Sequence, residues 1–64
     1  MKFREIEKIL KDDKWMLIRV AGSHYQYRKP GVMYVITLPN HNGKDISIGV
    51  IKDIEKKTGL SLLR

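Results

Sequence analysis

Residues 15–28 read WMLIRVAGSHYQYR and decide the fold, because two strand-like runs meet there at the pair Gly22-Ser23. Residues 15–21 are mostly apolar or β-branched, and residues 24–29 begin with polar side chains that alternate with tyrosines. Both patterns are typical of β-strands. Glycine and serine supply the backbone freedom and the local hydrogen bonding of a tight turn. The stretch therefore predicts an antiparallel hairpin.

The alternation within the first strand predicts which side chains face the core. Met16, Ile18 and Val20 fall on one face, and Arg19 falls on the other. Because the Arg19 guanidinium needs water or an anion, we expect the even-numbered set to be buried. Trp15 is then expected to cover either a sheet edge or the end of a helix.

A second turn and a third strand follow the hairpin. In Lys29-Pro30-Gly31, proline presets φ and glycine allows the positive φ of a type II turn. Residues 32–38 are again largely apolar or β-branched and predict a third strand. Because the connections between successive strands are short, the three strands are expected to form an antiparallel meander.

Helix-like sequence lies on both sides of the three strands. Residues 2–11 predict a first helix, and a second helix is expected to begin after Ser47 and to end before Gly59. The apolar stripes are Phe3, Ile6, Ile9 and Leu10 in the first helix and Val50, Ile51 and Ile54 in the second. The predicted fold class is α+β in the order α-β-β-β-α, with one sheet face covered by helices and the other open to a partner.

Length and composition limit what the chain can be. With 64 residues it has room for one domain, and we expect residues 1–64 to form it. It contains no cysteine, which excludes disulfide bonds and cysteine-ligated zinc. No apolar run approaches the ~20 residues of a membrane span, and the charged start lacks a signal-peptide core. We therefore expect a soluble, cytoplasmic protein.

The charge balance favours a polyanionic partner. Thirteen Lys and Arg residues against seven Asp and Glu residues give a formal net charge of +6. Nucleic acid is the first candidate, an acidic protein the second and an anionic membrane the third. A basic surface that only keeps the protein in solution is the remaining interpretation.

His24 is the residue best suited to chemistry. RNA carries its own nucleophile, the 2′-OH, so its cleavage needs little more than two proton transfers and positive charge at the phosphate. Histidine titrates near neutrality and can serve either proton transfer. Arg19, Arg28 and Lys29 are close enough in sequence to contact the phosphate. The residue pattern leaves a second interpretation open, in which His24 is only a packing residue between strands.

Other candidate residues carry less chemical information. Tyr25 or Tyr27 could stack an unpaired base. His41 lies between two asparagines in a polar loop, which is typical of an exposed turn residue. Neither His24 nor His41 has a cysteine or a carboxylate at a familiar ligand spacing, so no metal site is predicted.

Several short motifs together resemble the HicA toxin family. They are Trp15, Gly22-Ser23-His24, Gln26-Tyr27-Arg28, Leu38-Pro39-Asn40-His41, Lys44-Asp45, Ile48-Gly49 and Thr58-Gly59-Leu60. The Gly-Ser-His element followed by glutamine and an aromatic residue is the most specific part. The resemblance implies a fold like that of double-stranded-RNA-binding domains, with both helices on one sheet face. It also implies a ribosome-independent endoribonuclease of stress response that cleaves messenger RNA and is neutralised by a HicB-type antitoxin.

The same resemblance implies that His24 is the catalytic residue, in a reaction for which we expect neither a metal nor a cofactor. The residues expected to contact RNA or its phosphates are Arg19, Ser23, Gln26, Arg28, Lys29 and Lys44, and His41 is an accessory candidate. The expected partners are messenger RNA and the antitoxin, with no membrane, and with DNA reached only through an antitoxin complex. A non-catalytic RNA- or DNA-binding module is the alternative, and it predicts salt-dependent binding without cleavage.

Overall fold

The computed structural model describes residues 1–63, which form two helices and one three-stranded sheet. The elements are α1 Phe3–Asp12, β1 Met16–Ala21, β2 His24–Arg28, β3 Ile36–Pro39 and α2 Ile48–Thr58. The strands follow one another in the order β1-β2-β3, and both pairings are antiparallel. The predicted α+β class and the predicted meander are thereby confirmed. Within these residues, no helix is long and apolar enough to cross a bilayer.

The hydrophobic core lies between the helices and one face of the sheet. Tyr27 of β2 and Ile36 and Leu38 of β3 are fully or almost fully buried. Because Tyr27 pairs with Ile36, these side chains share one sheet face. The buried helix residues that cover this face are Phe3, Ile6 and Leu10 of α1 and Ile51 and Ile54 of α2. Both helices therefore pack on the same face, which confirms their predicted stripes and leaves the opposite face open.

The second turn and both ends of α2 form where the sequence predicts them. Ser47 Oγ accepts a hydrogen bond of 3.3 Å from a backbone N–H in the first turn of α2, and Gly59 follows the helix with a φ of 75°. In the second turn, the N–H of Val32 donates to the carbonyl of Lys29 at 3.1 Å, and Gly31 has a φ of 83°. These are the features of a type II turn.

The predicted core face of β1 is wrong. Met16, Ile18 and Val20 are 57%, 50% and 48% exposed, and the other residues of the strand are exposed as well. One cause is position, because both helices pack over β3, at the opposite edge of the sheet from β1. The other cause is a β-bulge between Leu17 and Arg19, which interrupts the regular alternation of faces.

Trp15 contributes to the core in place of the β1 side chains. Only 2% of its surface is exposed, and its backbone N–H donates to the carbonyl of Leu10 in α1 at 3.0 Å. Its ring N–H donates to Asp13 Oδ2 at 3.3 Å. Trp15 therefore closes the end of α1, which is one of its two predicted positions.

The third strand is shorter than predicted. The expected range was 32–38, but β3 begins at Ile36 and extends to Pro39. Met33 and Tyr34 are exposed in the connection between β2 and β3. Since β2 ends at Arg28 and Tyr27 pairs with Ile36, residues 32–34 lie beyond the end of the strand that they would have to pair with. Strand-forming residue types are therefore part of a loop here.

Candidate functional site

The open face of the sheet carries the predicted catalytic residue. Tyr27 is buried against the helices, so the alternate residues His24, Gln26 and Arg28 of β2 project from the opposite face. His24 and Arg28 are exposed, and Gln26 is half-buried. The alternation predicted for this strand is confirmed.

A second guanidinium group reaches the same face from β1. Arg19 is the register partner of Gln26. Residues that are directly paired in an antiparallel sheet lie side by side on one face, with Cβ atoms about 4.5–5.5 Å apart. Arg19 therefore flanks the middle of the row formed by His24, Gln26 and Arg28. These four residues are named the open-face site.

Short neighbours leave the imidazole of His24 accessible. Its register partners are Ala21 on β1 and Pro39 on β3. Neither the alanine methyl group nor the proline ring is long enough to cover a neighbouring imidazole. His24 is also the first residue of β2, and its side chain is exposed to solvent at the end of the strand.

The two arginines of the open-face site carry charges that are available to an anion. Within residues 1–63, neither Arg19 nor Arg28 has a carboxylate at ion-pair distance. A guanidinium binds phosphate through paired N–H donors in a planar fork. The open-face site can therefore hold a phosphate beside an imidazole, a group that can donate or accept a proton.

Lys29 is held in a different environment from its neighbour Arg28. Its Nζ donates a hydrogen bond to Asp13 Oδ2 at 3.0 Å, which joins the end of β2 to the end of α1. This hydrogen bond holds the pKa of the Asp13 carboxyl below its usual value, and the Trp15 ring N–H adds a smaller effect in the same direction. Lys29 therefore lies outside the open-face site, in an ion pair that links two elements.

The other predicted RNA contacts meet at a separate cleft. The cleft has a volume of about 450 Å³ and is lined by Ser23, Tyr25, Asn40, His41, Asn42 and Lys44. The backbone N–H of Asn40 donates to the carbonyl of Ser23 at 2.7 Å, which fastens the β3–α2 loop to the β1–β2 turn. We name this feature the loop cleft. His24 does not line the loop cleft, because its side chain projects from the opposite face of β2.

The sequence analysis did not select Asn40 and Asn42 as site residues. A topological signal for them exists in the sequence. In an antiparallel meander, the start of the second strand and the end of the third strand lie at the same end of the sheet. The residues that follow β3 must therefore return to the Gly22-Ser23 turn, directly beside His24.

The arrangement supports acid–base chemistry on an anionic substrate. Among residues 1–63, no three His, Asp or Glu side chains are grouped closely enough to hold a metal ion. The imidazole of His24 and the guanidinium groups of Arg19 and Arg28 place one group capable of proton transfer and two positive charges on one surface.

The fold and the open-face site define a class of protein: a small basic α+β domain that presents a histidine beside guanidinium groups on a helix-free sheet face. The family described as HicA toxin of bacterial toxin–antitoxin matches residues 3–60 of the 64-residue chain. Because this match covers nearly the whole chain, the protein belongs to the HicA toxin family. No curated protein matches the chain. The resemblance given by the sequence motifs is thereby confirmed.

Proposed function

We propose that this HicA-family toxin is an endoribonuclease that cleaves messenger RNA without the ribosome and uses His24 as its general acid or base. The observation that carries the proposal is the position of His24. It is exposed on the open sheet face, in a row with Gln26 and Arg28 and close to Arg19. A net charge of +6 supports a polyanionic substrate.

The RNA substrate supplies the nucleophile of the proposed reaction. His24 accepts the proton of the 2′-OH, whose oxygen attacks the adjacent phosphorus, and the bond from phosphorus to the 5′ oxygen breaks. The leaving oxygen takes a proton from the imidazolium or from water. The upstream fragment then ends in a 2′,3′-cyclic phosphate, and the downstream fragment begins with a 5′-OH. One positioned acid or base contributes about 10²–10⁴-fold to such a rate.

The other residues of the open-face site bind and stabilise the reacting phosphate. Arg19 and Arg28 offset the negative charge that develops on its oxygens in the transition state. Gln26, between them, donates an amide N–H to a phosphate or ribose oxygen. Ser23 and Lys44 contact the RNA from the adjoining loop cleft, where His41 is an accessory group.

A HicB-type antitoxin is the proposed inhibitor. Membership of a toxin–antitoxin family supports a partner protein of this general kind. A partner that places acidic side chains over Arg19 and Arg28 would exclude RNA from His24. In such a complex, one surface of the antitoxin would both neutralise the arginine charges and block the access of RNA to His24.

Cleavage of a messenger RNA in excess EDTA tests the proposal. We expect the wild-type protein to cut under these conditions and His24→Ala to be inactive. His41→Ala is the matched control, and it is expected to stay within about tenfold of the wild-type rate. Both histidines are exposed, so circular dichroism should show that each variant is folded. Equal cleavage by wild type and His24→Ala would contradict the proposal. A wild-type protein that cuts RNA without EDTA but not in its presence would also contradict it.

A non-catalytic RNA- or DNA-binding module is the second candidate function. Arg19 and Arg28 on an open sheet face would hold a nucleic-acid backbone whether or not His24 transfers a proton. This function predicts binding that weakens steeply with salt, together with uncut RNA. It also predicts that His24→Ala binds RNA almost as well as the wild type does.

A further inference from the structure

The loop cleft adjoins the open-face site but carries different chemistry. Ser23 lines the cleft and directly precedes His24, and consecutive Cα atoms are only about 3.8 Å apart. The cleft volume of about 450 Å³ falls within the range of small-molecule sites, roughly 300–1,000 Å³. An RNA strand that crosses the Gly22-Ser23 turn would therefore contact both His24 and this cleft.

Tyr25 gives the loop cleft an aromatic surface in a fixed orientation. Its ring centroid lies 4.8 Å from that of Phe3, and the ring planes meet at 64°, an edge-to-face contact with α1. Tyr25 is half-buried and lines the cleft. An aromatic ring that is held in this way is a stacking surface for an unpaired base.

Asn40 and Asn42 line the cleft with amide groups, on a loop whose backbone is hydrogen-bonded to other segments. Each side-chain amide offers both an acceptor oxygen and N–H donors, which can match the edge of a base. The Asn40 N–H is bonded to Ser23, and Asn42 has a φ of 48°, which asparagine tolerates better than most residues. In the same loop, the carbonyl of Gly43 accepts a hydrogen bond of 2.7 Å from Lys2 Nζ. The loop is therefore hydrogen-bonded both to the β1–β2 turn and to Lys2, the residue before α1.

Cationic side chains border these amides. Lys44 lines the loop cleft, and Arg4 lines an adjoining cleft of about 620 Å³ that shares Tyr25, Asn40 and Asn42 with it. Within residues 1–63, neither Lys44 nor Arg4 has a carboxylate at ion-pair distance. Their charges can hold the phosphates of a nucleotide whose base occupies the cleft.

We propose that the loop cleft binds one unpaired base of single-stranded RNA beside the phosphate held at His24, and that Asn40 and Asn42 set the base preference of cleavage. This inference rests on the proposed function. The RNA crosses the Gly22-Ser23 turn, which borders both surfaces. A base that is stacked on an aromatic ring and hydrogen-bonded along its edge is the usual way in which proteins read single-stranded RNA.

Sequencing of cleavage sites in a random-sequence RNA pool tests the base preference. We expect Asn40→Ala and Asn42→Gly each to reduce the preference for the favoured base by about fivefold or more. Glycine is chosen at position 42 because it keeps the positive φ while it removes the amide. Lys56→Ala, an exposed substitution on α2, is the control and should leave the distribution unchanged. An unchanged distribution in both asparagine variants would overturn the inference.

Direct binding separates failure of this inference from failure of the proposed function. Short labelled single-stranded RNAs, each made of a single kind of base, are titrated with proteins that carry His24→Ala. Tyr25→Leu keeps an apolar contact with Phe3, and we expect it to weaken binding about tenfold through lost stacking. Tyr34→Leu, at an exposed tyrosine of the β2–β3 connection, should bind like the parent.

The binding experiment tests the base site independently of cleavage. If Tyr25→Leu weakens binding while wild-type protein leaves RNA uncut, the base site is supported and only the proposed catalysis fails. If Tyr25→Leu binds RNA like the parent, the base site is wrong whether or not the wild type cuts. If the cleft variants change only inhibition by the antitoxin, the cleft serves the partner protein and the inference is overturned.

Discussion

Arg28 and Lys29 are adjacent cations in different environments, because neighbouring residues at the end of a strand point in different directions. Arg28 lies on the open face in line with His24. Lys29 is bonded to Asp13 at 3.0 Å and is only 29% exposed. Arg28 can therefore meet a phosphate, whereas Lys29 joins β2 to the end of α1.

Replacing each cation separately should separate RNA binding from stability. In a His24→Ala background, Arg28→Ala removes one of the proposed phosphate contacts. It should lower the slope of log affinity against log salt by about 0.7 for single-stranded RNA. Fluorescence anisotropy at several salt concentrations measures this slope.

Lys29→Ala is the matched substitution for Arg28→Ala. We expect it to leave the salt slope unchanged and to lower the thermal unfolding midpoint, because Asp13 loses its main hydrogen-bond donor. An equal change of salt slope in both variants would contradict the different roles assigned to these two cations.

Among the secondary-structure elements, β1 contributes to the fold through strand pairing more than through core packing. Ile18 lies at the bulge and is 50% exposed, whereas Ile51 of α2 is 1% exposed. Ile51→Ala removes buried methyl groups and should cost about 2–5 kcal/mol of unfolding free energy. Ile18→Ala should cost less than about 1 kcal/mol. Urea denaturation measures both, and equal losses would show that β1 is packed into the core after all.

Leu62 and Leu63 are bonded to α2 through one carboxylate. Glu55 Oε2 accepts backbone hydrogen bonds from Leu62 at 2.7 Å and from Leu63 at 3.1 Å. These two donors hold the pKa of Glu55 below its ordinary value of 4.5, and the backbone N–H of Leu62 has the larger effect. The ionised carboxylate therefore stabilises the fold above pH 4.5, and this contribution is lost as the pH falls through the lowered folded-state pKa.

Glu55→Gln tests this pH dependence, because glutamine keeps an acceptor oxygen but removes the charge. The wild-type protein should be more stable than Glu55→Gln near about pH 7, and the difference should shrink near about pH 3. Urea denaturation at both pH values measures the difference. A difference that is the same at both would show that the charge of Glu55 does not contribute.

On the scale of the whole molecule, the sequence predicts what depends on local pattern. The order of elements, the stripe containing Ile6 and Leu10 and the cap at Ser47 follow from spacing and residue type within one or two turns. The face of His24 follows from alternation with Tyr27. These features need no knowledge of the neighbouring elements.

The features that the sequence did not predict depend on contacts between distant segments. The exposure of Ile18 follows from the distance of β1 from the helices, which pack over β3, and from its bulge, and only the assembled sheet defines both. The ion pair of Lys29 joins it to Asp13 in a different turn. The approach of Asn40 to Ser23 requires the β3–α2 loop to return to the first hairpin. The division of the candidate residues into an open-face site and a loop cleft is therefore a tertiary property.

The molecule keeps its core and its proposed site on opposite faces of one sheet. The buried residues lie between the sheet and the helices, whereas Arg19, His24 and Arg28 lie on the open face. Substitutions at His24 should therefore change catalysis without unfolding the protein. This separation makes His24 a suitable position for a kinetic test.

The most direct test of the central claim is the single-turnover rate of RNA cleavage with protein in saturating excess over RNA, in EDTA. Saturation removes differences in binding, so the rate reports only the chemical step. His24→Gln should cleave at least about 100-fold more slowly than the wild type while its RNA affinity changes little. A rate within about threefold of wild type, at matched saturation, would contradict the assignment of His24 as the catalytic acid or base.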